Sequence, residues 1–263
     1  MSTYSKEHEL FLKKIKRKKC LVYLTQLSII IIFFLIWEIL SRLHIINTFL
    51  FSSPSNIFKT ITNLINTNNF LKHILVTSKE ILISFILSFI IGFLIATILW
   101  WNNFIAKVID PYLTILNSLP KVALGPLIII WVGASSNSII FMSLMISTFI
   151  TIINLYTSFI STDKNYIMLL KSFKATKYQI YQKVVLKSNL KNILSTMKIN
   201  VSMNLIGVIM GELLVSKSGL GYLIMYGSQV FNINLVITSI FILAIISSIL
   251  YYLINYFEKK IDY

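Results

Sequence analysis

The chain holds six long apolar runs separated by polar segments of varied length. The runs cover roughly 21–40, 74–99, 112–133, 137–159, 192–214 and 233–256. Each is close to the ~20 residues a helix needs to cross ~30 Å of hydrocarbon. The second holds Lys79 and Glu80, so its apolar part begins near Ile81. The third carries Pro120 and Pro126 and is the least regular. The pattern predicts an all-α integral membrane protein of about six transmembrane helices. It shows no internal repeat and no separate soluble domain. "KKIKRKK" precedes the first run as in a signal peptide. That run is too long for a signal-peptide core, and "SRLHII" after it offers no small-residue cleavage site. An uncleaved anchor is expected. The division is a basic N-terminal segment at 1–20, a transmembrane domain at 21–257 and a short tail at 258–263.

One stretch breaks the pattern. "LLKSFKATKYQIYQKVVLKS", Leu169 to Ser188, sets lysines among aromatics and aliphatics within a loop at about 160–191. Tyr166, Leu169, Leu170 and Phe173 share one helical face. The chain breaks at Lys174–Ala175. Thr176 and Gln179 then form the S/T-x-x-E/Q pattern, in which each side chain satisfies an orphan amide at a helix start. Ile180, Tyr181 and Val184 predict a second apolar face. Such a helix–turn–helix can lie on a membrane surface or enter a groove on a partner, and the residues alone leave both open.

Composition supports the membrane reading. The chain is 56% hydrophobic and 13% charged, where a soluble domain has about a quarter charged residues. The formal charge of +15 raises the question of nucleic acid. Its distribution answers it. With six spans and the N-terminus inside, inner segments hold the N-terminal cluster, Lys107, the lysines from Lys164 to Lys198, Lys259 and Lys260. Outer segments hold only Arg42, Lys59, Lys72 and Lys217. This is the asymmetry that orients membrane proteins, and no nucleic-acid partner is expected. The N-terminal cluster is also placed to contact anionic lipid. Cys20 is the only cysteine, and His8, His44 and His73 lie far apart, near expected membrane edges. No catalytic constellation, metal site or cofactor site is expected. The phosphate loop G-x-x-x-x-G-K-[ST] is absent, so any ATP used must be bound by another chain.

Within the spans, Pro120 and Pro126 remove helical hydrogen bonds, and Gly125 allows close approach. A broken membrane helix tends to line a cavity, because its freed carbonyls need polar company; the alternative is a merely kinked packing helix. With Asn117 and Lys121 adjacent, the pathway reading is preferred. Glu212 reads equally as a gate or as structural pairing, and Glu38 as structural. Gly207 and Gly211 form a G-x-x-x-G pair suited to tight helix contact. Gly219 and Gly221 are expected to form a turn at the outer mouth.

The 169–188 stretch resembles the cytoplasmic "EAA" loop of bacterial ABC importer permeases, specifically the nitrate/sulfonate/taurine-type branch. Ser172, Phe173, Ala175, Thr176, Tyr178, Lys183, Val184, Val185 and Leu186 carry the likeness. Three further blocks follow the branch in order: Trp37–Glu38 with "LFSSP" ending at Pro54, Asp110 to Gly133, and Gly211 to Ile224. Met168, Leu169 and Leu170 stand where the family has Glu-Ala-Ala, Lys174 where it has Gly, and Lys187 where it has Pro. A glycine between two helices supplies positive φ. A lysine there would be strained by very roughly 1 kcal/mol, or the turn takes another geometry.

The resemblance implies a type I importer permease with a cytoplasmic coupling helix between spans four and five. It implies a homodimer in the bacterial cell membrane, with both termini cytoplasmic. Two cytoplasmic ATPase subunits and an extracytoplasmic solute-binding protein would complete the transporter. Coupling would fall to Leu169, Leu170, Ser172, Phe173, Lys174, Ala175, Thr176 and Tyr178. Asn117, Pro120, Lys121, Gly125, Pro126 and Glu212 are the candidate pathway residues. The implied substrate is a small, often anionic nutrient such as a sulfonate, taurine or nitrate, although some members of the branch carry vitamin precursors. The competing reading is an ATP-independent channel or secondary carrier.

Overall fold

A computed structural model describes residues 6–66 and 70–261. Residues 1–5 of the N-terminal segment and 262–263 of the tail lie outside it. Helix α1 (Lys6–Arg42) runs without a break through the boundary expected at residue 20. Its 37 residues extend about 56 Å, so the basic segment is the helical continuation of the first span. Two short helices follow, α2 (Thr48–Phe51) and α3 (Pro54–Asn66). The central helices are α4 (Phe70–Trp101), α7 (Ser136–Ile160) and α11 (Leu190–Val215), with α5 (Asn103–Ser118) and α6 (Gly125–Val132) between the first two. The basic loop forms α8 (Lys164–Ser172), α9 (Lys177–Ile180), a π-helical turn at Tyr181–Val185 and α10 (Leu186–Ser188). The chain closes with α12 (Leu220–Gln229) and α13 (Ile233–Ile261).

Five of these helices are long and apolar enough to cross a membrane: the Leu10–Arg42 part of α1, α4, α7, α11 and the Ile233–Lys260 part of α13. The expected third span, 112–133, is not a straight run. It starts earlier, at Asn103, and bends by 81° between α5 and a 3-10 turn at Lys121–Leu124. Pro120 is the cause. A proline pushes the residue before it out of the helical region, and Leu119 is extended at φ −61°, ψ 141°. Pro126 sits at the start of α6, where its missing N–H breaks no bond.

Packing shows that the bent pair is nevertheless a crossing. Ile81 meets Ile139, Gly92 meets Thr151, and Ala96 clusters with Leu155 and Phe159. Helices α4 and α7 therefore run parallel, and 102–135 must carry the chain back across the bundle between them. Helix α11 runs opposite to α7, with Gly211 on Ile139 and Gly207 on Ser143. Helix α13 runs opposite to α11: Lys198 pairs with Glu258, and Leu205 lies near Ile246. Phe34 of α1 meets Phe241 of α13 at 5.8 Å, while Lys18 and Lys19 face Lys259 across a cleft. The basic stretch of α1, the end of α13 and the 161–189 loop thus share one end of the bundle.

Membrane helices gain little from burying apolar side chains against each other, so small residues and polar contacts hold them together. A Cβ on Gly207 would overlap the Ser143 backbone, and one on Gly92 would lie 2.7 Å from Thr151 Cγ2. Between these contacts runs a fully buried polar network. Ser143 Oγ donates to Asn204 Oδ1 at 2.7 Å and Ser147 Oγ to the same oxygen at 3.1 Å. Asn204 Nδ2 donates to Asn200 Oδ1 at 2.7 Å and to Ser88 Oγ at 3.0 Å. Asn200 Nδ2 donates to Thr151 Oγ1 at 2.6 Å. In hydrocarbon each of these groups would be costly unpaired; together they fix the register of α4, α7 and α11.

Candidate functional site

The basic loop has a fixed half and a projecting half. Helix α8 starts at Asp163, whose carboxylate accepts the Asn165 N–H at 2.8 Å. It ends in a Schellman turn: Ala175 N–H donates to Leu170 O at 3.0 Å and Lys174 N–H to Lys171 O at 2.8 Å. Lys174 takes the left-handed position at φ +55°. The turn keeps the geometry a glycine would favour, with a lysine bearing the strain. Thr176 then caps α9 reciprocally with Gln179: the Gln179 N–H donates to Thr176 Oγ1, and the Thr176 N–H to Gln179 Oε1.

Tyr181 fixes the second half. Its ring is buried 5.0 Å from Trp100, 6.0 Å from Trp101 and 5.8 Å from Phe159, and its hydroxyl bonds to Thr97 Oγ1 at 2.6 Å. Burial raises the phenol's pKa above its ordinary value, and the Thr97 bond partly offsets this. Lys177 lies over both tryptophan rings, at 5.5 and 5.7 Å. Of the second apolar face, Ile180 and Tyr181 are buried and Val184 half-buried, with Val185 buried beside them. The π-helical turn is the reason, since Leu186 N–H reaches back five residues to Tyr181 O.

The first half faces outward. Phe173 is 75% exposed, and Met168, Leu169 and Tyr178 are exposed around it. Leu170 and Ala175 are half-buried. Ser172 spends its hydroxyl on Met168 O at 3.1 Å.

The residues singled out at the broken helix divide into two groups. Asn117 and Lys121 come together, with Lys121 Nζ donating to Asn117 Oδ1 at 2.9 Å. The ammonium lies 5.4 Å from the Phe149 ring centre, and no carboxylate among the described residues forms an ion pair with it. Pro120 and Pro126 are exposed. Gly125 is not at an open surface. A Cβ there would lie 2.8 Å from Leu214 Cδ1 and 2.9 Å from Met142 Cε, so its bareness serves the packing of α6 on α7 and α11.

Glu212 belongs to a different place, the start of α12. A helix start presents orphan N–H groups, and here three are captured by side chains. Gly219 N–H donates to His73 Nδ1 at 3.0 Å, Leu220 N–H to Thr77 Oγ1 at 2.8 Å and Gly221 N–H to Glu212 Oε2 at 2.6 Å. Thr77 in turn donates to Glu212 Oε1 at 2.6 Å. A Cβ on Gly219, which sits at φ +118°, would overlap the Glu212 carboxyl. The geometry is that of a pinned turn. His73, expected near a membrane surface, is instead buried and stacked on Tyr222 at 5.9 Å; the 216–221 turn covers it. Glu38 holds α1 to α3, accepting the Ser55 N–H at 3.1 Å and the Arg42 Nε–H at 2.8 Å.

The sequence reading missed Glu80. Its side chain is 3% exposed, lies close to Ser136 and Glu212, and no donor among the described residues reaches either oxygen in hydrogen-bond geometry. It also missed the Tyr181–Trp100–Trp101 cluster, whose only trace was the pair of tryptophans closing the second apolar run.

This arrangement of crossings, with a helical loop projecting from one end, is the ABC importer permease fold of type I. The chain superimposes on an inward-facing form of the MetNI methionine ABC transporter with a TM-score of 0.66 at 16% identity, over 74% of this chain and 97% of that one. It superimposes equally on a bacterial alginate ABC transporter, TM-score 0.66 at 16% identity, over 95% of this chain and 97% of that one. Residues 88–263 match the binding-protein-dependent transport system inner membrane component, and the chain belongs to that family. A formylaminopyrimidine transport permease protein, ThiX, of Halalkalibacterium halodurans is 30% identical over 187 residues, covering 71% of this chain and 74% of the relative. A probable ABC transporter permease of Haemophilus influenzae is 29% identical over 233 residues, covering 89% and 94%. A putative aliphatic sulfonates transport permease, SsuC, of Bacillus subtilis is 24% identical over 226 residues, covering 86% and 82%. The chain is therefore an integral membrane transport subunit and not an enzyme; in such systems the ATPase is a separate subunit.

Proposed function

We propose that this chain forms the translocation pathway of an ATP-driven importer, as one half of a homodimer in the bacterial cell membrane. Two ATPase subunits would dock on its basic loop, and a solute-binding protein would deliver the substrate at the opposite end. The observation that carries this reading is the split character of the loop. Phe173 and its neighbours present an exposed apolar face, while Tyr181 ties the same loop to the ends of α4 and α7. Closure of an ATPase pair would push on Phe173, and the Tyr181 cluster would pass the displacement to Trp100 and Phe159. The crowding of lysines at this end supports a cytoplasmic location for the loop and both termini.

Lys121, held by Asn117 beside the break in the third span, supports a small anionic substrate, as does the sulfonate-permease relative. Proline-broken helix and cation together are the candidate selectivity element: Asn117, Pro120, Lys121 and Pro126. Gly125 would set the packing behind them, and Glu212 would hold the mouth turn. A second reading, a formylaminopyrimidine, is favoured by the ThiX relative. Reconstitution in vesicles with a candidate ATPase subunit and solute-binding protein from the same organism tests the proposal. Uptake should require both proteins and ATP, and the binding protein's ligand should name the substrate. Uptake by the permease alone would establish the competing channel or carrier.

A further inference from the structure

The basic end of α1 and the end of α13 enclose a cleft that the transport reading does not use. It has a volume of about 590 Å³ and is lined by Ile15, Lys18, Lys19, Val22 and Tyr23 of α1 with Lys259 of α13. Among the described residues none of the three ammonium groups has a carboxylate partner. The α1 residues recur at helical spacing, so one stripe of α1 faces α13. At the far end the two helices touch through Phe34 and Phe241. Between these points, one face of α13 forms an apolar trough of about 720 Å³ that includes Ile245, Ile249, Tyr252, Tyr256 and Phe257. Its lining runs about 24 Å from Phe257, near Lys259, to Phe241, longer than one leaflet of ~30 Å hydrocarbon.

We propose that this slot is a binding site for one anionic phospholipid, with its phosphate between Lys18, Lys19 and Lys259 and its acyl chains along the trough of α13. The occupant follows from complementarity. A positive cleft at the end of an exposed apolar helix face matches a molecule with an anionic head and hydrocarbon tails. A second copy of this chain fits worse at this cleft, because it would bring the same cluster of lysines to it. The phosphate would take the three lysines, and the tails would lie against the exposed apolar face of α13. The site would clamp α1, exposed along most of its length, to the body of the permease. Only the choice of the cytoplasmic leaflet rests on the proposed orientation; the site itself does not.

The test measures association of spin-labelled phosphatidylglycerol and phosphatidylcholine with the purified full-length chain in detergent–lipid micelles. This readout needs neither transport nor a particular orientation. A lysine near an anionic surface changes binding roughly fivefold, so wild type should prefer phosphatidylglycerol by tenfold or more. Lys18→Gln/Lys19→Gln/Lys259→Gln should remove that preference. Lys13→Gln/Lys14→Gln/Lys16→Gln, equal in charge but outside the cleft lining, should retain it. Ile249→Trp should displace both labelled lipids from the trough. Inorganic phosphate at millimolar concentration should not compete. Equal binding of the two lipids, equal loss in both lysine variants, or full competition by phosphate would each overturn the proposal. So would cysteine cross-linking of Ile249 to a second copy of the chain.

Discussion

Removing the Tyr181 ring should detach the basic loop from the bundle. The side chain lies buried among Trp100, Trp101 and Phe159, with its hydroxyl on Thr97. Large-to-alanine changes at buried aromatic positions cost about 3–5 kcal/mol, while loss of one neutral hydrogen bond costs roughly 1 kcal/mol. Tyr181→Ala should therefore shift the docked-to-detached ratio of the loop by more than about a hundredfold, and Tyr181→Phe by about fivefold. Lys177 over the tryptophans opposes detachment, but an exposed cation–π contact contributes only about 0.5–1 kcal/mol. Limited trypsin digestion of the membrane-inserted protein reads this directly, because Lys171, Lys174 and Lys177 are exposed cleavage sites. Tyr181→Ala should be cut much faster than wild type and should uncouple ATP hydrolysis from uptake, with Tyr181→Phe near wild type. Equal protection of all three proteins would refute the role given to the cluster.

Gly207→Leu should lower the melting temperature in detergent sharply, because the new side chain meets the Ser143 backbone rather than a flexible tip; overpacking of this kind costs about 1–3 kcal/mol or more. Lys174→Gly should preserve or improve coupled uptake, since it relieves a φ of +55° that costs a lysine roughly 1 kcal/mol. Glu212→Gln should destabilise the mouth turn, because an amide offers one acceptor where two donors, Thr77 and Gly221, are waiting; amide exchange at Gly221 should accelerate. A cysteine at Lys177 should react only with reagent that reaches the cytoplasm, and one at Asn56 only with external reagent.

What the sequence disclosed follows from how local each feature is. The Thr176–Gln179 cap was legible because its partners lie three residues apart, and the Lys174 turn because a lysine stood where the resemblance called for glycine. Gly207 and Gly211 announced a close contact, although not that Ser143 and Ile139 make it. The prolines marked the broken third span. Its start at Asn103 was hidden by Lys107 and Asp110, which interrupt the apolar run. Partners distant in sequence were not legible. Glu80 meets Glu212 only because α11 packs on α4, and His73 meets Gly219 only because the start of α12 folds back over α4. One signal was available but unused. Ser143, Ser147 and Thr151, like Asn200 and Asn204, recur at four-residue spacing, and a polar stripe inside a membrane helix must find a polar partner. Val185 is buried next to the half-buried Val184 because the π-helical turn adds one residue to the 3.6 per turn that periodicity assumes.

The proposed transport cycle requires the exposed face of α8 to be the ATPase dock. Truncating a buried aromatic anchor commonly costs at least ~2 kcal/mol, or about thirtyfold in affinity, whereas rim charges mainly steer encounter. The decisive measurement is the affinity of the ATPase subunit for Phe173→Ala and Lys171→Ala permeases reconstituted at equal levels. Phe173→Ala should bind about thirtyfold more weakly and Lys171→Ala near wild type. Unchanged ATPase affinity in Phe173→Ala, with the loop released from the lipid surface, would show that this face rests on the membrane and contradict the docking assignment.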